Sequence, residues 1–231
     1  MKLIVGRRAL ATCLAPMLSL RLSGSPFPAA AFPNALPSTL DEPKTSPGPV
    51  PQDIGLKPDG GLRPCLDGKP HCFSSSTLVG QAQANTKQIG TDWIVKPWTY
   101  TGMGVAGAMT DIKKVINTYP PGQNGIDAGG FRVKTLTVPN GPEDAGYIYC
   151  QFESAGGYID DVEFGVFDGT VNVRTSSRLG FLDLGVNAKR YNYFAKNLGG
   201  VKGWKTSAIA AKEHLNYFAQ NDLDDKDVAP K

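Results

Sequence analysis

The stretch "GYIDDVEFGVFDGTVNVRTSSRLGFLDLGVNAKR" crowds together the side chains with the most chemical potential in the chain. Asp160, Asp161 and Glu163 precede a short turn. Arg174, Ser176, Ser177 and Arg178 follow it, and Asp183, Asn187 and Arg190 come next. Paired carboxylates can exchange protons with a substrate or hold a hard cation. Arginines can hold an anionic head group. A serine nucleophile needs a base, and no G-x-S-x-G elbow surrounds Ser176 or Ser177. His71 and His214 are distant in sequence and neither is an obvious partner. The same residues also read as a framework. They would then be cross-strand ion pairs on a solvated sheet face, or a partly buried network in which Arg178 and Arg190 anchor Asp160, Asp161 or Asp183.

The elements that position these residues are legible. Asp168-Gly169 is a two-residue hairpin signal between two β-rich runs, Ile159 to Phe167 and Thr170 to Arg178. The turn sets Phe167 opposite Thr170, Val166 opposite Val171, Phe164 opposite Val173 and Val162 opposite Thr175. That face is apolar. The alternate positions put Glu163 opposite Arg174 and Asp161 opposite Ser176 on a polar face. Asp183 or Asn187 can cap the helix that follows. Lys189 and Arg190 fall in its first turn, where the helix dipole disfavours cations, so the hairpin acids are the expected compensation.

The chain opens "MKLIVGRRALATCLAPMLSL", with a twin-arginine pair, Arg7-Arg8, then a short apolar run and an A-x-A pattern at Ala29 to Ala31. This reads as an export signal spanning 1–31. The run is too short, and too broken by Pro16, to span a bilayer. Cleavage removes Lys2, Arg7, Arg8 and Arg21 and no acid. The 24 basic residues fall to 20 against 21 acids, and the net charge moves from +3 to −1. No basic nucleic-acid footprint is left, so no nucleic-acid partner is expected, and no transmembrane span is expected in the mature protein. Cys65 and Cys72 flank an Asp67-Gly68 turn, and in an exported protein a disulfide is the natural reading. The alternative, a metal site drawing on His71, lacks a second ligand cluster, so no metal is expected. Cys150 shares a strand face with Ile148 and Phe152 and reads as a buried thiol.

Residues 32–62 carry Pro33, Pro37, Pro43, Pro47, Pro49, Pro51 and Pro58 and read as an extended tether. A domain over 63–205 follows, then a C-terminal helix and charged tail over 206–231. Val105, Met109, Ile112, Ile116 and Tyr119 predict a helix stopped by Pro120-Pro121. Strands are predicted over Phe131 to Val138 and Ala145 to Phe152. Tyr191, Phe194, Ala195 and Leu198 predict a second helix, and Ser207 a cap for a third bearing Ala208, Ala211, Leu215 and Phe218. The tail "NDLDDKDVAPK" reads as disordered. The resulting class is α+β, an antiparallel β-meander of about four to five strands with helices packed on one side. Gly102-x-Gly104-x-x-Gly107 matches the dinucleotide fingerprint, but no βαβ unit surrounds it, so it reads as a glycine-rich start to a helix and no cofactor is expected.

"KPHCFSSS", "GYIDDVEF" and "VNVRTSSRLGFLDLGVNAKR", with the spacing between them, resemble the family called domain of unknown function 1499, found in bacteria and photosynthetic eukaryotes. The resemblance covers about Arg63 to Trp204. It implies no reaction, cofactor or catalytic residue. "AFPNALP" resembles plastid members with thylakoid-lumen signals. Eight residues reach through the arginine pair, so either the leader is truncated or no stromal transit peptide precedes it. A bacterial periplasmic export signal is the alternative, and the Phe32 context also resembles import signals of complex plastids.

The leading expectation is a non-enzymatic accessory protein of the thylakoid lumen, partnered with a photosynthetic or thylakoid membrane protein complex. A lipid- or pigment-binding module lined by Trp93, Trp98, Tyr147 and Tyr149 is the second. A carboxylate- or metal-dependent hydrolase using Asp160, Asp161 and Glu163 is the third.

Overall fold

The computed structural model describes residues 32–41, 43–52, 54–65, 69–76, 92–141 and 144–230. The export signal and the Asp67-Gly68 turn lie outside the described residues. The hairpin is the centre of the fold. β5 (Ile159–Phe167) and β6 (Thr170–Ser177) pair antiparallel in the register set by the turn, with Glu163 opposite Arg174 and Asp161 opposite Ser176. Gly169 takes a left-handed φ of 68°, which a residue without Cβ adopts at little cost. β4 (Gly146–Glu153) and β3 (Gly130–Thr137) extend the sheet on the β5 side, and a bulge interrupts β3 between Val133 and Thr135.

The sheet has seven strands, more than the four to five expected. The extra ones are short. β1 (Cys72–Ser74) and β2 (Trp98–Tyr100) share the free edge of β6, and β7 (Trp204–Lys205) pairs with β2. Strands of two or three residues hold too few positions for an alternating pattern to show in sequence.

Helices α1 (Val105–Asn117) and α2 (Val186–Gly199) pack on one face of the sheet. Val105, Ala108, Met109, Ile112, Val115 and Ile116 of α1 are buried, at the spacing of one helical stripe. They meet Ile148, Cys150, Phe152, Val162, Phe164, Val166, Val171 and Val173 in one core. Gly146 permits the approach: a Cβ there would lie 2.2 Å from the Met109 sulfur. Cys150 is a buried free thiol, and burial pushes its pKa up. The Gly102–Gly107 motif supplies the Gly104 cap and runs into the first turn of α1, and β2 before it pairs antiparallel with both neighbours, so among the described residues no βαβ unit surrounds it.

Three expectations change. The proline-rich segment is extended apart from a 3-10 turn at Pro37–Thr39, and it lies against the sheet face opposite the helices. Asn34 Oδ1 accepts from the Phe131 N–H, the Thr45 N–H reaches Gly156 O, and Leu62 packs with Tyr147 and Tyr149. It is a strap anchored by side chains. The last helix, α3 (Leu215–Asn221), starts at His214, not Ser207. Asn192 takes both the N–H and the carbonyl of Ile209, which holds that stretch extended. Asp92 then accepts from the Asn216 and Tyr217 N–H groups and caps α3. The charged tail is folded down, with Val228 buried and its carbonyl bonded to Asn192. Among the described residues, no helix is long and apolar enough to cross a membrane.

Candidate functional site

The polar residues of the hairpin divide into two layers, one on each face of the sheet. On the strap face, Arg178 Nε and Nη2 make a bidentate contact to Asp161 at 2.9 and 2.7 Å. Tyr149 donates to the same carboxylate at 2.7 Å, and Gln151 and Arg132 continue the chain of bonds. Beside it, Glu163 accepts from Tyr147 and from the Gly55 N–H of the strap on one oxygen, and from Arg174 Nη1 at 3.1 Å on the other. Burial and then the Asp161 bond push the Tyr149 phenol up to about 12. Burial and then the Glu163 charge push Tyr147 up as well. Both phenols are therefore protonated donors at neutral pH.

On the helix face, Arg190 holds Asp127 with two nitrogens and Asp160 with one, and Tyr119 also donates to Asp127. Burial acts to lower the Arg190 pKa, but the charges of Asp127 and Asp160 outweigh it and hold it well above the ordinary value. Asn187 bridges Thr175, Ser177, Asp183 and the His71 carbonyl. Asp183 caps α2 by accepting from the Gly185 and Asn187 N–H groups, and it also accepts from Tyr217. Of the two expected caps, Asp183 is the cap and Asn187 is a hub inside the first turn.

Asp160 compensates Arg190, as the dipole argument requires, but Asp127 was not foreseen. It comes from the loop before β3, far from Arg190 in sequence, and nothing local signals it. Tyr147 and Tyr149 were within reach of sequence reasoning: carrying the hairpin register one strand further sets Tyr149 directly opposite Glu163. Trp93 and Trp98 belong to the core, with Trp98 packed on Tyr191 and Phe164. The four aromatic residues expected around a pocket are thus core or framework. Cys65 and Cys72 form a disulfide, which takes both thiols from any metal.

A cleft of about 640 Å³ opens between the strap and the C-terminal half of β6. Pro49, Val50 and Pro51 form its strap wall. Arg174, Ser176, Ser177 and Arg178 form its sheet wall, and Cys65, Cys72 and His71 its end. His71 therefore sits beside the serines after all, bonded to Ser177 through its backbone carbonyl. Arg174 and Arg178 differ here. Arg178 commits two nitrogens to Asp161. Arg174 commits one to Glu163, while its buried Nε donates to nothing, although the residue is only 3% exposed. A buried donor without an acceptor costs about 1–3 kcal/mol, so this one asks for a partner.

Residues 61–198 match the family model for a protein of unknown function, DUF1499. The chain belongs to this family. No curated protein and no solved structure matches it. The DUF1499 region runs from the end of the strap through nearly all of α2. It contains Arg174, both serines and the acids of β5.

Proposed function

We propose that this DUF1499 chain is a non-catalytic binding protein that works outside the cytosol and holds the anionic group of a small ligand at Arg174. The observation that carries the reading is the buried, unpartnered Nε of Arg174, a residue that lines the strap cleft. An arginine edge matches the geometry of a carboxylate or phosphate. The twin-arginine leader and the Cys65–Cys72 disulfide support an exported setting, the thylakoid lumen or a bacterial periplasm. The acids of β5 argue against a hydrolase. Asp160 lies on the opposite face from Asp161 and Glu163, and each of the three is bonded to its own arginine. No two of them form a pair with a free carboxylate to act as base.

The test is calorimetric titration of inorganic phosphate and of small carboxylates into the protein and its Arg174→Lys variant. Lysine keeps the charge beside Glu163 and lacks Nε. The expected result is anion binding that falls at least tenfold in the variant while the melting temperature stays near wild type. Wild-type protein that takes up neither anion sinks the reading.

A second reading is an accessory protein docked on a photosynthetic membrane complex. It draws on the loop between β6 and α2, where Phe181 and Leu184 are 59% and 65% exposed. Purification of tagged protein from its own host in mild detergent decides it: a stoichiometric membrane complex supports the reading, and bare protein removes it.

A further inference from the structure

Ser177 lines the strap cleft and also lines a second groove of about 350 Å³. This groove is walled by Tyr158, Ile159, Leu179, Leu182, Leu184 and Val186, and Asp160 and Asp183, both bonded elsewhere, also touch it. Its rim is apolar and accessible: Leu179 and Leu182 are each more than a third exposed, and Leu184 and Tyr158 half or more. Exposed apolar side chains gathered along one groove mark a contact for something apolar. The two features are complementary in kind. One end offers an arginine with an unused buried donor and two hydroxyls, and the other offers aliphatic and aromatic walls. Arg178 and Leu179, adjacent in the chain, mark the change from one to the other.

From this we infer that the ligand of the cleft is a single-chain anionic amphiphile, a fatty acid or lysophospholipid. Its head group sits on Arg174 and Ser176, and its acyl chain passes Ser177 into the Leu179–Leu182–Leu184 groove. The inference rests on the anion site proposed above and adds the apolar half of the ligand. Both volumes lie in the range of small-molecule sites. The charge on the head matches the basic side chains of the cleft lining, Arg63, Lys69, Arg174 and Arg178. The chain explains why Leu179, Leu182 and Leu184 stand exposed in a loop joining a strand to a helix.

Chain length separates the two halves. Octanoate, decanoate and dodecanoate, kept below their micelle concentrations, are titrated into the full chain beside acetate and inorganic phosphate. Each methylene that enters the groove tightens binding by about fourfold. Leu182→Glu, at a position exposed enough to tolerate it, abolishes that chain-length dependence and leaves phosphate binding unchanged. Arg174→Lys weakens every ligand in the series. If acetate and phosphate bind as tightly as dodecanoate, and Leu182→Glu is silent, the amphiphile is wrong and the anion site stands. If dodecanoate binds with equal affinity to wild type and Arg174→Lys, the head-group placement falls. If nothing in the series binds, both readings fall together.

Discussion

Asp160 and Asp161 are neighbours in the chain and are held by different arginines on opposite faces of the sheet. Asp160 bonds Arg190 of α2 at 2.8 Å, and Asp161 bonds Arg178 on the strap face at 2.7 Å. Alternation along β5 makes this unavoidable. The pair that looks like catalytic machinery in sequence is therefore two separate anchors, one joining the helix layer to the sheet and one closing the strap layer.

Arg190 is the more exposed to damage of the two anchors' arginines, because it neutralises two buried acids. Arg190→Met leaves Asp127 and Asp160 without a cation. The expected loss is about 3–5 kcal/mol, the usual penalty for stranding a buried charge. Urea unfolding measures it. Asp160→Asn leaves the Asp127 contact in place and costs less. Equal losses from the two variants would contradict the shared role of Arg190.

The strap is a structural part. It supplies the Gly55 N–H to Glu163 and covers Tyr147 and Tyr149 with Leu62, Ile54 and Leu56. Deleting residues 32–60 from the chain removes a hydrogen bond to a charged group, worth roughly 2 kcal/mol, and uncovers apolar surface besides. The expected outcome is a lower melting temperature and binding of a hydrophobic dye. A deletion with no effect on either would restore the picture of a free tether.

The disulfide closes a small loop at the end of the cleft. Chain-entropy reasoning gives about 2–3 kcal/mol for a loop of this size. Cys72→Ser should lose about that much, and it should also weaken ligand binding, because both cysteines line the cleft. Thiol counting supplies the control. In a Cys13→Ser chain with the disulfide intact, which leaves Cys150 as the one unbridged thiol, Cys150 should react with a thiol reagent only after denaturant is added, since it is buried and its pKa is raised. Rapid reaction of the native protein would contradict the packing of β4 against α1.

What could be read from the sequence is what local periodicity encodes. The register of β5 and β6 followed from Asp168-Gly169, and α1 and α2 from their apolar stripes. The pairing of Glu163 with Arg174 followed from the register alone. What could not be read depends on contacts between distant segments. β1 and β2 are strands only because β6 offers an edge to them, and β7 only because β2 does. Asp127 matters only because α2 brings Arg190 above it. The proline composition of the strap favours extended backbone but says nothing of its contacts, which include bonds to Ala128, Phe131, Ala155, Gly156 and Glu163. The short α3 is decided by Asp92 and Asn192, neither of which lies within it.

Tyr149 gives the clearest dependence on pH. Its phenol is raised from the ordinary value of 10.0 to about 12, first by burial and then by its bond to Asp161. In the unfolded chain the phenol gives up its proton near the ordinary value, while in the folded chain it keeps it. The folded state thus binds more protons between those values, and stability falls as pH rises through that window. The phenolate absorbance of Tyr149 should appear with loss of the circular dichroism signal, not before it. Tyr149→Phe keeps the ring and removes the titrating group. At neutral pH it should lose roughly 1.5–3 kcal/mol, the value of a hydrogen bond to a charged acceptor, and its stability should decline less steeply between pH 10 and 12. Phenolate formation from Tyr149 near the ordinary value in a protein that is still folded would show that Tyr149 does not donate to Asp161, and the strap-face network would have to be redrawn around Arg178 alone.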